Sequence, residues 1–137
     1  MKQIIAILMF LACSLTVGAQ QFNPEKFAKD REAFVMKEAG LTQQEADKFF
    51  PLYNEMFEKQ RAIHKQLKEL KSKKPATEAA CKQTILKQDN LEIQIRQIEK
   101  TYHTKFLTVL SASKLYDVLA ATQKFYRQAF RKAANRK

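Results

Sequence analysis

The sequence predicts an all-α fold: four helices arranged as elongated, bent hairpins. Three observations carry this. Phe49, Tyr53, Met56, Gln60, Ile63, Leu67 and Leu70 advance by alternating steps of four and three, the rhythm that keeps one seam of a long helix facing a partner. Hydroxyl or amide caps stand ahead of each apolar-periodic stretch. The chain has only two glycines and three prolines in 137 residues, so breaks are few and well marked.

Residues 1–19 read as a cleaved signal peptide rather than as fold. Lys2 is a minimal basic start, Ile4 to Ala12 is a short apolar run, and Val17-Gly18-Ala19 fits small-residue cleavage ahead of Gln20. The run is too short to favour a transmembrane anchor. Phe10-Leu11-Ala12-Cys13 is a poor lipidation signal, which makes anchoring at Cys13 the weaker reading. Residues 20–137 then form one all-helical, exported domain of 118 residues. Loss of Lys2 lowers the net charge from +11 to +10. Such a chain seeks anionic partners, acidic proteins among them. It has no nucleic-acid recognition motif, and export argues against a specific nucleic-acid role. Only Cys81 remains after cleavage, so it is a buried thiol or an intermolecular bridge, and no internal disulfide forms.

Asn23-Pro24 opens the first helix, which carries Phe27, Ala28, Phe34 and Val35, and Gly40 ends it in the left-handed conformation. Thr42 and Glu45 form a capping box for the long helix, Leu41 to Leu70, which Pro51 bends near Asp47–Phe50. Thr77 caps the third helix, with Leu91, Ile95, Ile98, Tyr102 and Phe106 on its stripe. Thr84 and Gln88 make the packing near its start looser. Ser111 caps the last, whose broad face holds Leu115, Val118, Leu119, Thr122, Phe125, Tyr126 and Ala129. Gln128 to Lys137 is basic and expected to fray.

Catalytic constellations are missing: no glycine-rich phosphate loop and no positioned nucleophile, so no enzyme and no cofactor are expected. His64, His103, Met36, Met56 and Cys81 show no metal-ligand spacing. Aromatic–basic interleaving is more informative. Phe130 stands with Arg127, Arg131 and Lys132; Phe50 and Phe57 flank the main seam; Tyr116 lies two heptads from Phe130. With Lys48, Lys59, Arg61 and Lys65 they make a partly exposed apolar surface fringed by cations, suited to catching non-native polypeptide.

Gly40-Leu41-Thr42 with Glu45 is echoed by Val109-Leu110-Ser111 with Lys114. These corners, the leader and the Phe49-Phe50-Pro51-Leu52-Tyr53 stretch together resemble the Spy/CpxP-type small periplasmic stress proteins, named for two leucine–threonine–x–x–glutamine motifs (LTxxQ). Glu45 and Lys114 replace the expected glutamines, and Ser111 one threonine. The resemblance implies a curved, cradle-like antiparallel homodimer that binds unfolded clients without ATP. A ribbon of 118 residues that cannot cover its own apolar stripe also leads to pairing. A regulatory protein docking on a periplasmic sensor domain is the alternative. A basic helix resting on a membrane surface through Lys124–Lys132, without spanning it, is a third.

Overall fold

Each helix begins where a side chain takes over backbone donors that the first turn leaves without partners. In the computed structural model, which describes residues 21–136, Asn23 accepts from the N–H groups of Glu25 and Lys26 at 3.1 Å and opens α1, Pro24–Ala39. Gly40, at φ +61°, closes it: its N–H donates to the Lys37 carbonyl and that of Leu41 to the Met36 carbonyl. This pair of bonds needs the left-handed residue that glycine accepts without strain. The predicted capping box follows, with Thr42 Oγ1 accepting from the Glu45 N–H at 3.1 Å and Glu45 Oε2 from the Thr42 N–H at 2.9 Å. It opens α2, Gln43–Lys71. Thr77 caps α3, Glu78–Phe106, and Ser111 caps α4, Ala112–Ala134. The proposed leader, residues 1–19 with Cys13, lies outside the described residues.

The protein is all-α, with four helices and no strand among the described residues. α2 runs unbroken through Pro51, which sets aside a split into two helices there. At 29 residues it is about 43 Å long. α4 continues to Ala134, so most of the basic stretch expected to fray is ordered as helix.

α2 and α3 form one long antiparallel hairpin, from Phe49 against Phe106 (4.8 Å between ring centroids) to Lys71 near Glu92. α1 pairs with α4, also antiparallel: Phe27 meets Phe125 at one end, and Lys114 reaches the α1 C-terminus at the other. The α1–α4 pair covers only the half of the hairpin nearest Phe49. Two cores result. A body core draws on all four helices, with Val35, Phe49, Tyr53, Phe106 and Val118 almost wholly buried. An arm core of Ile63, Leu67 and Leu91 belongs to α2 and α3 alone. Between them sits Gln60, 4 % exposed, donating to Glu99 at 3.3 Å. A polar residue at a seam position fixes register at some cost in stability. Thr84 and Gln88 are half-buried, in keeping with looser packing toward the tip.

Lys114 explains one departure from the expected motif. Its ammonium donates to the carbonyls of Gly40 at 2.7 Å and Ala39 at 3.4 Å, placing a cation at the negative end of the α1 dipole and tying the two corners together. Lys114→Ala is expected to lower unfolding free energy by about 1–2 kcal/mol. Lys114→Gln, which keeps a donor but not the charge, should lose less. Urea titration of the three proteins checks the order, and equal midpoints would remove the corner tie.

Candidate functional site

The predicted contact residues do not form one patch. On α2, Lys48 and Lys59 stand eleven residues apart, three turns, and share one side. Arg61 lies nearly opposite them, and Lys65 about a third of a turn away. Lys59 pairs with Glu55 at 3.4 Å and lies 5.3 Å from the Tyr102 ring, and Arg61 meets Glu58 at 3.4 Å. Exposed pairs of this kind contribute little to stability.

Two of the aromatic assignments need correction. Phe50, 8 % exposed, is part of the body core and offers nothing to a client, because α1 crosses over the α2 face that carries it. Phe57 is half-buried, packed between Tyr53 and Tyr126 and covered by a guanidinium 3.7 Å from its ring centroid. That guanidinium belongs to Arg31, a residue the sequence reading passed over.

Arg31 is 5 % exposed, and no carboxylate lies within ion-pair distance among the described residues. Its charge faces aromatic rings instead: Phe57, and Tyr53 at 5.2 Å. Nη1 donates to the Tyr126 hydroxyl at 3.0 Å, and Nε has no partner. Beside it, the Tyr53 hydroxyl stands 2.7 Å from Thr122 Oγ1, which itself donates to the Val118 carbonyl at 2.9 Å. With the threonine proton committed, Tyr53 is the donor. Burial pushes the Tyr53 phenol up to about 12, against the smaller opposing effect of the Arg31 charge.

From this interior the aromatic contacts run outward to α4. Phe57 meets Tyr126 at 6.2 Å, and Tyr126 meets Phe130 at 6.4 Å. Phe130 is 71 % exposed and Tyr116 76 %. Arg127 and Arg131 flank Phe130, with Lys132 beyond, all exposed and none in an ion pair among the described residues. Phe22, also exposed, rests on Phe27, which touches Tyr126. The outer α4 face is thus where predicted aromatics and cations do come together. The motif residues Leu41 and Leu110 are buried, while Thr42, Glu45 and Ser111 serve as caps.

Elsewhere, Cys81 is half-buried near the hairpin tip, its thiol 3.5 Å from the Pro75 carbonyl. Among the described residues no three His, Cys, Asp or Glu side chains group as metal ligands, and no helix is long and apolar enough to cross a membrane. A scan against protein-family models, a search of curated proteins and a search of solved structures each find no match to this chain.

Proposed function

We propose that the protein is an exported, periplasmic chaperone or envelope-stress protein that holds unfolded or aggregation-prone polypeptides without ATP. The observation that carries this reading is the outer face of α4, where Tyr116 and Phe130 stand open to solvent and Arg127 and Arg131 neighbour Phe130. Exposed aromatics offer contact area at low entropic cost, and the strong positive charge that remains after leader cleavage speeds encounter with acidic segments. Tyr126, one turn earlier on the same helix, meets the Phe130 ring at 6.4 Å and extends the apolar surface. The two leucine–hydroxyl corners support the same reading through their resemblance to the Spy/CpxP-type proteins.

The test is light scattering from a heat-unfolded model enzyme. Near-stoichiometric protein should suppress aggregation, and Tyr116→Ser with Phe130→Ser should remove at least half of that effect. Both side chains are exposed, so circular dichroism should show the fold intact. Equal aggregation with and without the protein would overturn the proposal.

A further inference from the structure

α4 carries two seams of the same rhythm, one residue out of step. Leu115, Val118, Thr122, Phe125 and Ala129 advance by three, four, three and four, and face the body. Tyr116, Leu119, Gln123, Tyr126 and Phe130 repeat that spacing beside them. In this second seam Tyr116, Gln123 and Phe130 are exposed while Leu119 and Tyr126 are half-buried. It covers 15 residues, about 21 Å along the helix.

We infer that this second seam docks an amphipathic helix with acidic flanks from another protein, laid side by side along α4. The inference rests on the reading of this face as the landing surface and names the partner class it takes. Alternating three–four spacing presents knobs to a facing helix, whereas an extended chain needs a sheet edge or pockets at a period of two. Gln123, polar at the middle of the stripe, favours one register.

Charge chooses between a foreign helix and a second copy. α4 holds one acid, Asp117, while Arg127 and Arg131 are free of ion pairs among the described residues. Lys124 is engaged by Glu38 at 2.7 Å. A second copy would bring the same surplus cations to the seam. Acidic residues beside an apolar stripe match it.

The test uses fluorescence anisotropy of labelled peptides about three heptads long, kept below self-association, with the full chain. One peptide carries a leucine seam with glutamate flanks, one the same seam with lysine flanks, and one the glutamate composition scrambled out of rhythm. The glutamate-flanked helix should bind in the micromolar range, the other two about tenfold more weakly or less. Tyr116→Ser with Phe130→Ser should cost about tenfold, and Tyr116→Leu with Phe130→Leu should retain binding. Equal binding of the scrambled peptide overturns the inference. So does sedimentation showing a dimer that the serine variant dissociates and that takes up no peptide, since the seam then belongs to a second copy. Should peptides fail while aggregation suppression still depends on Tyr116 and Phe130, helix docking falls and the chaperone reading stands.

Discussion

Replacing Phe106 with alanine lowers the unfolding free energy by about 3–5 kcal/mol. Phe106 is wholly buried where α3 ends, in contact with the rings of Phe49, Tyr53 and Tyr102. Removing it leaves a void among the rings of α2 and α3, which cannot close over it without breaking other contacts. Such a loss is a large part of the roughly 5–15 kcal/mol that holds a domain together. Phe130→Ala, at an exposed ring of the same type, should stay within about 0.5 kcal/mol of wild type. Urea denaturation of the three proteins gives the comparison, and similar midpoints for the two substitutions would contradict the assignment of Phe106 to the centre of the body.

Raising the pH from 10 to 12 should strip about 2 kcal/mol from wild type beyond what Tyr53→Phe loses. The folded phenol titrates at about 12, the unfolded one near its ordinary value of 10. Below pH 10 both states hold the proton, and the contribution is complete. Between 10 and 12 the unfolded chain releases it while the fold still retains it, so unfolding is favoured increasingly and stability falls until the folded phenol ionises too. Lysine titration is common to both proteins and drops out of the difference. Tyr53→Phe should also cost about 1 kcal/mol at neutral pH for the bond to Thr122. Parallel stability curves for the two proteins across the alkaline range would mean that the Tyr53 hydroxyl is not sequestered.

Much of the local structure was legible because its causes are local. Asn23, Thr42, Thr77 and Ser111 cap the helices they precede, and the seam from Phe49 to Leu67 is buried at every named position, Gln60 included. What escaped depends on which helix crosses which. Phe50 and Phe57 lie beside the seam that meets α3, and nothing in α2 itself says that α1 covers that side. Arg31 did leave a trace: it stands four residues from both Phe27 and Val35, within the apolar stripe of α1. A cation there reads as a surface residue until aromatic rings are known to surround it. At the candidate site, Tyr116 and Phe130 were readable as an outer pair by their spacing. The contact of Tyr126 with Phe130 and the spread of the α2 cations follow from helical spacing, whereas the contact of Phe57 with Tyr126, from one helix to another, needed three dimensions.

The pairing of the first helix with the last sets an order of events for a chain made from its N-terminus. After Ala39 emerges, roughly 70 more residues must follow before α4 can meet α1. At about 5–20 residues per second, that is a delay of several seconds. The α2–α3 hairpin, whose contacts are nearer in sequence, is able to form meanwhile, but Phe27, Phe34 and Val35 wait without their cover. Any shortened product ending before residue 112 would keep that wait open indefinitely, leaving the opening helix as a sticky end for other chains to find.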